Sequence, residues 1–85
     1  MEKELSIVGI LVDNRPDHAP LVQRVISDFG QCILGRFGIP DPCGENGLIT
    51  LVMECDSETR NQLQKRLTDL ATVSFNSMCV KRNPH

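Results

Sequence analysis

Leu48-Ile49-Thr50-Leu51-Val52-Met53-Glu54-Cys55, in one letter LITLVMEC, lies between the turn-rich Pro40-Asp41-Pro42-Cys43-Gly44-Glu45-Asn46-Gly47 and a helix-capping pair, Asp56-Ser57. The run is too short for a helix between such flanks, and its Val, Ile and Leu content suits a strand. In a strand, alternate side chains leave opposite faces. Ile49, Leu51, Met53 and Cys55 then share one face, and Leu48, Thr50, Val52 and Glu54 the other. A half-exposed antiparallel strand alternates apolar with polar residues, yet this one carries aliphatic residues on both sides.

Downstream, Asp56 or Ser57 caps a helix in which Leu63, Leu67 and Leu70 recur at i, i+4 and i+7, with Glu58, Arg60, Gln64, Lys65 and Asp69 facing water. Ala71 to Lys81 follows as a less apolar strand, expected at a sheet edge. Upstream of the loop, Gln31 to Ile39 reads as another strand. Before it, Leu21, Val22, Val25, Ile26 and Phe29 have helical spacing. Pro20 suits the first turn of that helix, and Gly30 is expected to end it in the left-handed conformation. Asn14 to Pro20 is a turn-rich connection, and Leu5 to Asp13 the first strand, with Ile7 and Leu11 on one face and Val8, Ile10 and Val12 on the other.

The order is strand, helix, strand, strand, helix, strand. Right-handed crossovers through each helix interleave two split βαβ units. The fold class is therefore α+β, a ferredoxin-like βαββαβ arrangement with a four-stranded antiparallel sheet, the first and third strands central, and two helices on one face. One domain is expected over residues 1–85, with no linker and no low-complexity tract.

Two helices cover one face of such a sheet. The apolar residues on the other face predict a homo-oligomer, a dimer or tetramer, packed through the open face, because contiguous apolar patches beyond a few hundred Å² are rare on monomers. In the second strand, Ile33, Phe37 and Ile39 share a face and suit the helix side, while Cys32, Leu34, Arg36 and Gly38 share the other. That places Arg36 on the open face near the seam, its stem lying over apolar surface. Gly35 and Gly38 mark a bulge or a close approach of backbone or ligand.

The chain has 85 residues, net charge −2 and neither Trp nor Tyr, so its core rests on Leu, Val and Ile. No basic segment points to nucleic acid, and no run reaches the roughly 20 apolar residues of a membrane span. The start, MEKELSIVGILV, lacks the pattern of a secretory signal, and a cytoplasmic location is expected. Cys32, Cys43, Cys55 and Cys79 include no CxxC pair; they read as small buried hydrophobes, apart from Cys43 in its loop, the one expected to be exposed. No base is paired in sequence with any of them, so no catalytic residue is assigned. Cys32 and Cys79 are the strand cysteines considered for convergence, but no close-spaced ligand pair supports a metal site, and none is assigned. No cofactor is indicated.

Asp13-Asn14-Arg15-Pro16, followed by Leu21-Val22-Gln23-Arg24-Val25 and Phe29, is similar to the first loop and helix of ACT domains, small ferredoxin-like regulatory modules that associate through their sheets and often bind amino acids at the interface. Ile33-Leu34-Gly35-Arg36-Phe37-Gly38-Ile39-Pro40 and Asp56-Ser57-Glu58-Thr59 more specifically resemble the small stand-alone ACT-like proteins named as iron-only hydrogenase system regulators. The resemblance covers nearly the whole chain and implies a regulatory, non-enzymatic role. Asp17 follows Pro16 where amino-acid-binding ACT domains usually carry glycine, and His18-Ala19-Pro20 extend the loop. The fold also resembles the regulatory domain of the nickel-responsive repressor, but His18 and His85 are the only histidines, so that domain's metal pattern does not carry over. No DNA-binding segment accompanies the domain, so such a regulator would act through a partner protein or a separate DNA-binding chain.

The candidate ligand site consists of Asp13, Asn14, Arg15 and His18 in the first loop, with Arg36. Arginines pair with carboxylates, and the helix start after Pro20 offers free N–H groups to an anion. The expected function is a homo-oligomeric regulatory module sensing a small anionic ligand. The alternative is a structural or adaptor protein whose oligomer surface binds another protein.

Overall fold

A computed structural model describes residues 3–13, 18–40, 46–70 and 73–80. The elements are β1 (Glu4–Asp13), α1 (Ala19–Asp28), a 3-10 turn (Gly30–Cys32), β2 (Ile33–Pro40), β3 (Asn46–Cys55), α2 (Ser57–Thr68) and β4 (Val73–Val80). The strands form one antiparallel sheet in the order β2-β3-β1-β4. This is the ferredoxin-like α+β arrangement, with β1 and β3 central. Among the described residues no helix is long and apolar enough to cross a membrane.

The core lies between one sheet face and the helices. Val8, Ile10 and Val12 of β1 and Ile49, Leu51, Met53 and Cys55 of β3 are buried there, against Val22, Val25 and Ile26 of α1 and Leu63 and Leu67 of α2. The alternation read from the sequence thus separates the two faces of both central strands. β1 and β3 pair from Glu4↔Cys55 to Asp13↔Asn46 without a break, which keeps that alternation in step.

The ends of α2 follow from local chemistry. Asp56 is the N-cap, its carboxylate accepting from Thr59 N–H at 2.7 Å. That bond holds the Asp56 carboxyl below its ordinary range. Glu58 in the first turn and Lys65 and Arg66 in the last complement the helix dipole. Arg66 pairs with Asp28 at 2.7 Å and lies 5.5 Å from the Phe29 ring centre, joining the C-terminal ends of the two helices.

Two expectations fail at the joint between α1 and β2. Gly30 does not take the left-handed conformation. The chain instead tightens into the 3-10 turn, with Cys32 N–H bonded to the Phe29 carbonyl at 2.9 Å. β2 then contains a bulge: Ile33 pairs with Met53, but Gly35 already pairs with Val52. Two residues of β2 stand against one step of β3, and every side chain beyond that point changes face.

Candidate functional site

The bulge relocates Arg36. Its partner across the ladder is Leu51, a fully buried residue of the helix-facing side, and Gly38 faces Ile49 of the same side. Phe37 and Ile39 pair with Thr50 and Leu48 on the open side, and are 65% and 40% exposed. The expected assignment of Phe37 and Ile39 to the core and of Arg36 to the open face is therefore reversed; only Ile33, before the bulge, keeps its place against the core. The Arg36 guanidinium reaches α1 and donates from Nη2 to Gln23 Oε1.

Gln23 belongs to a cleft of about 310 Å³ at one end of the sheet. Ala19 and Val22 of α1 form one wall, Gly38 and Ile39 of β2 and Gly47, Leu48 and Ile49 of β3 the other, with Val12 of β1 between them. Gly38 keeps the cleft open because it brings no side chain into it. A Cβ there would lie 3.9 Å from the Leu48 carbonyl, an ordinary contact. The first helical turn borders the same cleft, and Pro20 occupies a position where its missing N–H costs no hydrogen bond.

Of the candidate ligand residues, the structure brings three to this end of the molecule. Asp13 ends β1 opposite Asn46, one residue beyond cleft-lining Val12. His18 is half-buried at the N-cap position of α1, its carbonyl accepting from Leu21 and Val22 N–H at 3.0 and 3.2 Å. Arg36 approaches through Gln23. Asn14 and Arg15 lie outside the described residues, as does Cys43. Gln23 was not legible as a site residue, since helical spacing marks it only as an exposed neighbour of Val22; the signal that finds it is the bulge.

The opposite end of the sheet collects thiols. Cys55 is buried at the end of β3. Burial pushes its thiol up from the ordinary value, and the nearby Cys32 and the Asp56 carboxylate push the same way, opposed by Arg60. Arg60 also donates to the buried Ser6 hydroxyl at 3.1 Å. Cys32 thus meets Cys55, not Cys79, whose exposed thiol donates instead to Glu4 Oε2 at 2.9 Å. Among the described residues no three His, Cys, Asp or Glu side chains gather as metal ligands.

Most of the exposed large apolar side chains among the described residues lie on the open face. Ile7, Leu11, Leu48 and Val52 on the central strands are 38–40% exposed, and Phe37, Ile39, Met78 and Val80 on the flanking strands 38–65%. Gly9 leaves a trough of about 400 Å³ between Ile7 and Met78, floored by Asn76. A shallow continuation runs past Leu11 and Leu48.

No curated protein matches the chain in sequence. Among solved structures, the uncharacterized protein TM1266 from Thermotoga maritima is 28% identical with a TM-score of 0.89, and the match covers 94% of this chain and 100% of that one. A formyltetrahydrofolate deformylase from Pseudomonas putida KT2440 matches at 13% identity and TM-score 0.63, over 95% of this chain but 31% of its own. The nitrogen regulatory PII-like protein CPII from Thiomonas intermedia K12, bound to ADP, AMP and bicarbonate, matches at 16% identity and TM-score 0.54, over 94% of this chain and 96% of its own. The last two show the fold alone. The family model described as "TM1266-like: Iron-only hydrogenase system regulator, putative" matches residues 4–77, nearly the whole described sheet and both helices, and the chain belongs to that family.

Proposed function

We propose that this chain is a non-enzymatic regulatory module, a single ACT-like domain over residues 1–85, that assembles with itself through the open sheet face and holds a small anionic ligand at the cleft end. The observation that carries the reading is the open face, where eight large apolar side chains remain exposed opposite a complete core. Membership of a regulator family supports the regulatory role. The ligand would sit against Gly38 and Ala19, with Arg36, released from Gln23, and His18 as its polar contacts and Asp13, Asn14 and Arg15 as the remaining candidates. A guanidinium offers paired donors to a carboxylate or phosphate. Cytoplasmic action through a partner protein fits a net charge of −2 with no basic tract.

The alternative is an adaptor, in which the same apolar face of the assembly receives a different protein and the cleft stays empty. A thermal-shift panel of amino acids, nucleotides, bicarbonate and divalent metals separates the two. A hit that disappears in Gly38→Leu, with helix content unchanged, supports ligand sensing. Filling the cleft from Gly38 leaves the backbone room, since the nearest heavy atom to an added Cβ is 3.9 Å away. Silence across the panel favours the adaptor. A hit that survives Gly38→Leu moves the ligand away from the cleft.

A further inference from the structure

The ligand cleft and the open face leave one group of reactive side chains without a role, at the end of the sheet remote from the cleft. Cys32 is the last residue of the 3-10 turn, and the next residue, Ile33, pairs with Met53. Cys55 lies two residues beyond Met53 on the same helix-facing side and is 4% exposed. Cys32 is half-buried and packs against the core that contains Cys55, close enough to bear on the Cys55 thiol. No disulfide joins them in this structure. Cys79 is on β4, separated from β3 by the whole of β1. Cys55 faces Glu4 and Cys79 faces Ser6 on β1; two strand spacings of about 4.8 Å and two residues of rise put their backbones roughly 12 Å apart, beyond the ~7 Å limit for a disulfide.

We propose that Cys32 and Cys55 are a thiol–disulfide exchange site that reacts with a low-molecular-weight disulfide such as oxidised glutathione, Cys32 as the entry thiol and Cys55 as the resolving thiol. The Cys32 thiolate attacks one sulfur of the glutathione disulfide; a Cys32–glutathione bond forms, the original S–S bond breaks, and one glutathione thiolate leaves. Cys55 then gives up its proton and attacks Cys32 Sγ, expelling the second glutathione thiolate. The two protons lost by the cysteines are taken up by the two glutathione thiolates. The two protein thiols are oxidised to one disulfide and one glutathione disulfide is reduced.

The division of roles follows from access. Cys32 is the partly exposed member, and Cys55 is 4% exposed. The pKa-raising burial of Cys55 makes it a poor first nucleophile without preventing intramolecular attack on a bound neighbour. Closing the bond would tie the α1–β2 joint to the end of β3 and enclose β2 and β3 in one covalent ring. That ring contains the bulge, Arg36 and Gly38, so oxidation would restrain one wall of the cleft. The site stands independently of whether the cleft holds a ligand.

The experiment uses the full chain carrying Cys43→Ser and Cys79→Ser, equilibrated under native conditions in glutathione redox buffers, with non-reducing peptide mapping by mass spectrometry. The expected product is a Cys32–Cys55 linked peptide, with two hydrogens lost from the intact mass and restored by dithiothreitol. Adding Cys55→Ala should leave a lasting glutathionyl group on Cys32, and adding Cys32→Ala should leave Cys55 unmodified. If Cys55→Ala unfolds, the order of events in the parent replaces it: the Cys32 mixed disulfide must precede the linked peptide. A parent that stays reduced, that accumulates the Cys32 adduct without linkage, or that forms the linkage only in denaturant overturns the proposal.

Discussion

Val52→Lys tests the open face most directly. Val52 lies on β3, a central strand, opposite Ile7 on β1 and Gly35 on β2, and is 40% exposed in the isolated chain. Burying a valine completely is worth about 1.5–3 kcal/mol, so covering the part still exposed contributes roughly 1 kcal/mol per copy. Lysine loses that contribution and brings an ammonium whose burial costs several kcal/mol in a real protein, less whatever its stem recovers by reaching the rim. A modest total of about 2 kcal/mol per copy becomes about 4 kcal/mol for a pair, or roughly a thousand-fold weaker dimerisation. The substitution leaves the opposite face untouched, so helix content should survive. Sedimentation velocity at micromolar concentration reads the assembly and circular dichroism reads the fold, with Gln62→Lys on the exposed side of α2 as the charge-matched control. The parent should sediment as an oligomer, Gln62→Lys likewise, and Val52→Lys as a folded monomer. A monomeric parent refutes self-assembly, and a Val52→Lys protein as large as its parent refutes the face.

Phe37→Lys is the companion on β2. Phe37 is the most exposed large apolar residue of the face at 65%; if the partner covers the sheet out to that edge, sedimentation should show weakening comparable to Val52→Lys. Leu63→Ala removes a fully buried side chain from α2 and should cost about 2–5 kcal/mol, lowering the thermal midpoint by at least ~8 °C for a domain of this size. Asp56→Ala removes the α2 cap and should melt below the parent at pH 7. Because the folded Asp56 carboxyl titrates below its ordinary value of 3.8, its contribution is complete above that value and disappears as pH falls through the lower folded one. The gap between variant and parent in thermal melts should therefore close in acid.

Much of this fold was legible because each boundary carries its own chemistry. Pro20 near a helix start, Asp56 before Thr59 and the loop Pro40 to Gly47 mark junctions that need no tertiary information. The face assignment of β1 and β3 was equally legible, since their ladder runs unbroken and strict alternation holds along it. β2 was not. Its side chains obey the same period of two, but one extra residue at Leu34 and Gly35 inverts the assignment of everything after it. Gly35 was a visible hint of a bulge, yet the sequence alone does not say whether the glycine is used. The candidate site inherits that ambiguity: Arg36 belongs to the cleft or to the seam according to the bulge, and Gln23 enters the site only when Arg36 does. The packing of Cys32 against the core that contains Cys55 was hidden for a related reason, because the 3-10 turn, not a regular strand, delivers Cys32 there.

The bulge also bears on how copies of this chain would meet. Two routes are open to a sheet with uncovered apolar surface: another sheet laid across its face, or another strand added to its edge. By turning Phe37 and Ile39 outward, the bulge extends the apolar face from β1 and β3 to β2. The same bulge interrupts β2 as an edge, and Pro40 at its end has no N–H to offer a neighbouring strand. One local irregularity thus enlarges the face and impairs one edge. At the other edge, β4 turns Met78 and Val80 to the open side at one end and the polar Ser74 and Asn76 at the other. The apolar area that needs covering is therefore continuous across the middle of the sheet, and a partner added along an edge would leave Ile7, Leu11, Leu48 and Val52 as wet as before. Face-to-face packing is the arrangement that removes them from water.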